Sequence, residues 1–408
     1  MKILMLSWEY TPLSQGGLAR HVQDLSETLV AEGHSVHIIT RGDENIPSRE
    51  KINGVDIIRT EPPVIDALNF VDFIHHLNFQ LLERAIQLKE EEDFDVIHGH
   101  DWLVFWATRI LKHSYRLPVV HTIHATEYGR NQGIYNDMQR YINDIEWYCG
   151  YEAWKVIVCS NYMKNEVRGL FQVPGDKIRV IENGVNPANY RSDYTEDFRS
   201  RYASPAEKIV FYVGRIVREK GIQILLQAVP EILSEEPATK FIISGRGPFL
   251  EDLKHQARYL GIEDRIYFTG FASNEVRNKL YRAADVVVIP SIYEPFGIVA
   301  LEGMTTGTPV VASDVGGMSE FLEYGHNAFT VEPGDPSGLA GEILHVFRRP
   351  EEASSMAERA RKMVEEKFSW DNIAPRTVKV YREVRQEYKD SSWNINKDKA
   401  REREQVLT

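Results

Sequence analysis

Pro290-Ser291-Ile292-Tyr293-Glu294-Pro295-Phe296-Gly297-Ile298-Val299-Ala300-Leu301-Glu302-Gly303-Met304 is the stretch from which the rest of the chain is read. Ahead of it, Ala284-Asp285-Val286-Val287-Val288-Ile289 is β-branched and apolar, the pattern of a strand buried on both faces of a parallel sheet. Behind it, Val299 to Met304 reads as helix, with Gly307 and Pro309 as stop signals. Glu294 therefore lies just past a strand's carboxyl end, where open α/β sheets bind their ligands. Pro295 and Gly297 shape a turn that aims helix N–H groups at the same crevice, a ready anion site. Glu302 follows eight positions on, inside the helix. Two readings stand at this point. The carboxylates could grip two sugar-like rings of one long ligand with phosphate between them, or both could be ordinary glutamates favoured near a helix N-terminus.

The bulk numbers narrow the field. At 408 residues two domains are expected. A 43% hydrophobic and 26% charged composition is that of an ordinary globular protein. Net charge is −12, which argues against nucleic acid or an anionic membrane as the main partner. An anionic ligand would then need cations concentrated locally. Cys149 and Cys159 are the only cysteines and both stand in apolar surroundings, so no disulfide framework is expected and a reducing cytoplasm fits. The first ten residues turn polar too soon for a signal peptide. No apolar run approaches the roughly 20 residues of a membrane span.

Outward from the opening stretch, strand and helix alternate. Lys2–Ser7, Ser35–Thr40, Val55–Arg59, Asp95–His98, Pro118–Ile123, Lys155–Cys159 and Ile178–Ile181 read as strands. Helices are expected between them, among them Asp66–Glu91 and Tyr135–Ala153. Asn183 to Pro205 is rich in Asn, Pro, Tyr and Asp and reads as a linker. Lys208–Val213 then starts a second alternation that runs to Lys367, followed by a last helix from Trp370 to Tyr388 and a polar tail, 389–408, expected to be mobile. The expected architecture is α/β, two Rossmann-like doubly wound domains facing a central cleft. The first spans 1–190 and the second 205–369.

Several groups carry chemistry. Gly16-Gly17 after the first strand would let backbone N–H groups approach a phosphate, or would serve a plain tight turn; a third glycine is missing, so a dinucleotide fingerprint is not supported. Gly214-Arg215 with Lys220-Gly221 follows the second domain's first strand. A guanidinium forks phosphate oxygens and an ammonium adds a point charge, which a diphosphate would require in so acidic a chain. His98-Gly99-His100-Asp101-Trp102 and His121-Thr122-Ile123-His124 fall at strand carboxyl ends. His98 and His121 read as core or loop-orienting, and His100, Asp101 and His124 as placed for ligand contact. Metal ligation is not expected, because no third cluster completes a site. Neither a Gly-x-Ser-x-Gly elbow nor a P-loop is present. Trp8, Tyr10, Tyr128 and Tyr135 are candidates for stacking on sugar rings.

Taken together, Gly16-Gly17-Leu18, His100-Asp101-Trp102, Thr122-Ile123-His124, Gly214-Arg215 with Lys220, Glu294 with Glu302, and Ser313-Asp314-Val315-Gly316-Gly317 make the chain, from Met1 to about Tyr388, resemble a family. It resembles the retaining glycosyltransferases of the GT-B fold, family 4 type, in the glycogen-synthase-like and sucrose-phosphate-synthase-like group. The resemblance implies that Arg215 and Lys220 bind a donor diphosphate and that Glu302 takes the nucleotide ribose. Glu294 and the backbone of Phe296-Gly297-Ile298 would hold the donor sugar and distal phosphate, His124 would sit beside the anomeric carbon, and Asp101 would touch sugar or acceptor. It also implies a final helix, about 370–388, that crosses back to the first domain, a UDP- or ADP-glucose donor, a glycan or other hydroxyl acceptor, and no required metal or other cofactor. Bacterial glycogen synthases carry a lysine two residues before the glycine pair, where this chain has Ser14. Transfer of another sugar to a small-molecule or lipid acceptor, a nucleotide-sugar 2-epimerase, and a non-catalytic sugar-nucleotide-binding protein are the alternatives. The residues name neither the base nor the oligomeric state.

Overall fold

The computed structural model describes residues 1–13, 16–62, 66–190 and 193–394. The chain forms two compact units, Met1–Glu182 with Ile373–Thr408, and Asn183–Asn372. Strands of the first unit are β1 (Lys2–Leu6), β2 (Ser35–Thr40), β3 (Arg49–Ile52), β4 (Val55–Arg59), β5 (Val96–His100), β6 (Val119–Ile123), β7 (Lys155–Val158) and β8 (Ile178–Val180). They lie in the order β3-β4-β2-β1-β5-β6-β7-β8, and every pairing is parallel except β3 with β4. The order reverses at β1, so the loops after β1 and β5 flank the switch point at which such sheets bind ligands. Leu4, Leu6 and Ile97 of these strands pack against Ile74, Leu77 and Leu81 of the Phe70–Glu91 helix in one apolar core.

β3 is an addition to the sequence reading. Asn53 (φ 49°) and Gly54 (φ 84°) form the two-residue turn between β3 and β4, both in the left-handed region. An Asn-Gly pair is a strong hairpin signal. The helix expected from Asp66 starts at Phe70, because Asn69 caps it by accepting from the Asp72 N–H. That expected from Tyr135 starts at Asp137, capped by Asn136.

The second unit has β9 (Lys208–Val213), β10 (Thr239–Ser244), β11 (Ile266–Gly270), β12 (Val286–Ile289), β13 (Val310–Ser313) and β14 (Phe329–Val331), all parallel, in the order β11-β10-β9-β12-β13-β14. Its switch point lies between β9 and β12, whose following loops are the two motif-bearing ones. Burial on both faces accounts for the unbroken Val286-Val287-Val288-Ile289 run.

The boundary expected at 190–205 falls earlier. Val185 N–H donates to the Phe368 carbonyl (2.8 Å), Asn278 Nδ2 donates to the Asn189 carbonyl (2.5 Å), and Tyr190 is 3% exposed against Tyr281. Residues 183–190 are thus anchored in the second unit rather than ending the first, and 193–205 carries a Thr195-capped helix, Glu196–Ser200. The second unit also runs past 369, to Asn372. The last helix, Trp370–Asp390, belongs to the first unit from Ile373 onward. Its buried Val378, Tyr381 and Val384 keep helical spacing, and Arg385 pairs with Asp95 (2.9 Å). Of the tail expected to be mobile, 389–390 is helical, and 395–408 lies outside the described residues, as does Ser14. No helix among the described residues is long and apolar enough to cross a membrane.

Candidate active site

In the second unit the loops after β9, β12 and β13 are locked together by glycines. A Cβ on Gly221 (φ 69°) would lie 1.7 Å from the Pro290 carbonyl oxygen, and one on Gly316 (φ 62°) 2.1 Å from that of Glu294. Only glycine permits such backbone approach at positive φ. The N–H groups of Ile292 and Tyr293 donate to the Glu219 carbonyl (2.9 and 3.2 Å), and that of Gly317 to the Glu294 carbonyl (2.9 Å). The result is a rigid frame in which Lys220 Nζ lies 2.7 Å from Glu294 Oε2, with Ser291 Oγ donating to the same oxygen (3.2 Å). Arg215 is half exposed and, among the described residues, its side chain makes a single long contact, to Glu219 (3.4 Å), while Tyr212 Oη donates to its carbonyl (3.1 Å). Gly297 (φ 105°) is the N-cap of the Ile298–Thr305 helix and offers no side chain to cap it.

Two predicted residues of this unit sit deeper than a ligand-facing role suggests. Phe296 is buried, its ring against Phe321 and Phe368. Glu302 is 1% exposed, and its Oε2 accepts from Tyr281 Oη (2.7 Å).

The first unit gathers its own constellation. Gly16 stands at the N-terminus of the Gly17–Ala31 helix, again without a side-chain cap. At the end of β5, Asp101 adopts φ 58° and ψ 173°, a region that is nearly glycine's alone and costs about 1–3 kcal/mol. Three bonds hold it there. Its N–H donates to the Thr122 carbonyl (2.9 Å), its carbonyl accepts from His121 Nε2–H (2.9 Å), and its Oδ1 accepts from the His124 N–H (2.7 Å). Asp101 is 5% exposed and sets the His124 backbone through the last of these bonds. His100 is fully buried, with Nδ1 3.2 Å from His124 Nε2. Its depth follows from β5, which lies between β1 and β6 in mid-sheet. His98, also fully buried, is hydrogen-bonded to Tyr381 Oη and Thr122 Oγ1 (both 2.7 Å). His124 is half-buried, and burial holds its imidazole down at about 3, with His121 and Arg130 adding to the effect. It is neutral at physiological pH, able to donate or accept toward a sugar hydroxyl. Of the aromatics proposed for stacking, Tyr128 and Tyr135 are exposed, Trp8 lies under Arg41 (5.1 Å), and Tyr10 is core at 1% exposed.

Three neighbours were not singled out in the sequence. His21 stands edge-on to His124 (ring centres 4.7 Å). Arg130 lies 3.6 Å from Glu146 and 3.9 Å from Asp101. Glu146 is 2% exposed beneath the Glu127 N–H, which points at both its oxygens (3.0 and 2.9 Å). Burial raises the Glu146 carboxyl to about 8 against the pull of Arg130. A glutamate raised in the folded state binds more protons than in the unfolded chain. Its stabilisation is complete below the unfolded value near 4.5 and fades as pH rises through 8. Wild type is therefore expected to lose stability relative to Glu146→Gln between pH 5 and 8, by up to about 1.4 kcal/mol per pH unit. Parallel melting curves for the two proteins across that window would refute this.

The Asp101 geometry gives a second expectation. Asp101→Asn is isosteric and keeps an acceptor for the His124 N–H, so its turnover stays within tenfold of wild type. Asp101→Ala loses a charge-assisted bond of about 1.5–3 kcal/mol and falls further, as steady-state rates will show.

Two doubly wound sheets, each with its chemistry-bearing loops at the switch point, define the class: GT-B glycosyltransferases. Residues 15–189 match the model of Glycosyltransferase Family 4, and residues 193–363 that of Glycosyl transferases group 1. An uncharacterized glycosyltransferase of Methanocaldococcus jannaschii is 40% identical over 390 residues, covering 94% of this chain and 98% of that protein. A glycogen synthase of Mycobacterium tuberculosis is 34% identical over 396 residues, covering 93% and 94% respectively. Sucrose-phosphate synthase from Thermosynechococcus elongatus superposes with a TM-score of 0.83 at 28% identity, covering 94% of this chain and 98% of that one. The chain belongs to this glycosyltransferase family.

Proposed function

We propose that the protein is a retaining hexosyltransferase that moves glucose from UDP- or ADP-glucose to a glycan acceptor in α-linkage. The observation that carries this reading is the Lys220–Glu294 pair at the second unit's switch point, with half-exposed Arg215 beside it. In a chain of net charge −12, that concentration of cations suits a diphosphate. The 34% identical glycogen synthase favours a glucosyl donor and a glucan acceptor.

In this reading the unit 183–372 takes the donor. Arg215 and Lys220 bind its diphosphate, and the backbone of Phe296-Gly297-Ile298 receives the distal phosphate. Glu294 holds the sugar and Glu302 the ribose, the latter after its cover of side chains shifts. The first unit supplies the acceptor side, with Gly16 and Gly17 near the phosphates and His124 at the transferred sugar. As the glycosyl–phosphate bond breaks, negative charge grows on the departing oxygens while the ring becomes oxocarbenium-like. Donors fixed in advance at those oxygens lower the barrier, each by about 2.7–4 kcal/mol. The departing phosphate then takes the acceptor's proton on the face it leaves, which retains the anomeric configuration. The test is a panel of nucleotide sugars scored for donor hydrolysis and for transfer to maltooligosaccharides, with the product anomer read by NMR. A β-linked product, an isomerised free sugar, or no turnover of any UDP- or ADP-hexose would overturn the proposal.

A further inference from the structure

The sequence offers two histidine clusters and no third group; folding supplies the third. His21 comes from the Gly17–Ala31 helix, His100 ends β5 and His124 follows β6, and one ring nitrogen from each lies within 4.8 Å of the others. His100 Nδ1 and His124 Nε2 are 3.2 Å apart. Two ligands on a tetrahedral ion with bonds of about 2.0–2.1 Å stand roughly 3.3–3.4 Å apart, so that pair already has the required spacing. The His21 ring meets both others edge-on, with centres 4.7 Å from His124 and 5.6 Å from His100, so a side-chain rotation closes the remaining gap.

We propose that His21, His100 and His124 form a binding site for a divalent ion of the zinc type. His100 Nε2 has no hydrogen-bond partner among the described residues although the residue is fully buried, so the cluster holds an uncompensated polar atom. Three imidazoles without a carboxylate select Zn2+, Cu2+ or Ni2+ over Mg2+ or Ca2+. Half-buried His124 leaves a fourth position open to water or a small oxygen ligand. The alternative is a hydrogen-bonded imidazole trio that only ties β5 and β6 to the first helix.

Binding stands apart from the proposed transfer, but one consequence rests on that reading: an ion on His124 withdraws its ring from the sugar, so Zn2+ inhibits. The experiment uses the full chain, treated with chelator and dialysed, then titrated with Co2+ as spectroscopic probe and with Zn2+ by calorimetry. One ion per chain is expected, with the intense visible bands of four-coordinate Co2+. His21→Ala and His100→Ala should each weaken binding at least tenfold, whereas His113→Ala, in a separate cluster with Glu152, should not. His21→Gln serves if the alanine variant fails to fold by circular dichroism. Absence of the Co2+ bands, or equal affinity in wild type and the His21 variants, overturns the site. Stoichiometric binding without inhibition keeps the site and overturns instead the placing of His124 at the sugar.

Discussion

Lys220→Ala should lower kcat/KM for sugar transfer by a hundredfold or more. The substitution removes two things at once. The first is the ammonium that meets the departing diphosphate, which at about 2.7–4 kcal/mol corresponds to roughly 10²–10³ in rate. The second is the partner of Glu294, whose side chain is 12% exposed and whose Oε2 lies 2.7 Å from Nζ. Left without a cation, that carboxylate repels the phosphate it sits beside, so donor affinity falls with the rate. Lys220→Arg restores the charge but not the compact reach of the ammonium, and should recover only part of the loss. Arg215→Ala is the milder case. Its side chain is 42% exposed and nearly unengaged, so only the phosphate contact is lost, and about tenfold is expected. Steady-state kinetics with calorimetric donor binding decide both. Near-normal turnover in the two variants would remove the diphosphate site from this loop.

The elements legible in the sequence are those whose burial is two-sided and local. β9 and β12 announce themselves as Val- and Ile-rich runs because helices cover both faces of a parallel sheet, and a one-residue slip would expose nothing polar. Loops after them were legible because glycine at positive φ and cations at a strand end each have a local cause. β3 was not legible. Arg49-Glu50-Lys51 is a charged edge strand whose partner, β4, rather than its own pattern, makes it a strand, so the Asn53-Gly54 turn has no recognisable strand pattern ahead of it. The unit boundary was misplaced because Tyr190 in a Pro- and Asn-rich segment looks like linker until the side chain is seen among Tyr281 and Arg277. The same reason hid Glu146 and His21. A polar residue on an amphipathic helix reads as solvated, and only the tertiary partner, Arg130 for one and His124 for the other, shows it turned inward. Long-range pairing of this kind leaves no trace in residue spacing.

Gly221→Ala is expected to abolish measurable donor binding, although it changes one methyl group and touches no ligand. At φ 69° an alanine already costs about 1–2 kcal/mol, a loss most proteins survive. Gly33 supplies the measure of that cost alone. It has φ 85° and nothing within 4 Å of where a Cβ would stand, so Gly33→Ala should lower the melting temperature modestly and leave turnover intact. Gly221 differs because its Cβ would lie 1.7 Å from the Pro290 oxygen and 2.6 Å from the carbonyl carbon. Both atoms are backbone, so no side chain can rotate out of the way, and the loops after β9 and β12 must part. Parting them breaks the bonds from Ile292 and Tyr293 to the Glu219 carbonyl and carries Lys220 away from Glu294. Catalytic groups held even about 1 Å from their working geometry lose on the order of a hundredfold. The two alanine variants thus both place a side chain at positive φ, and Gly221 adds the backbone atoms that lie opposite. If Gly221→Ala bound donor as Gly33→Ala does, the rigid frame around Lys220 and Glu294 would not be what organises the site.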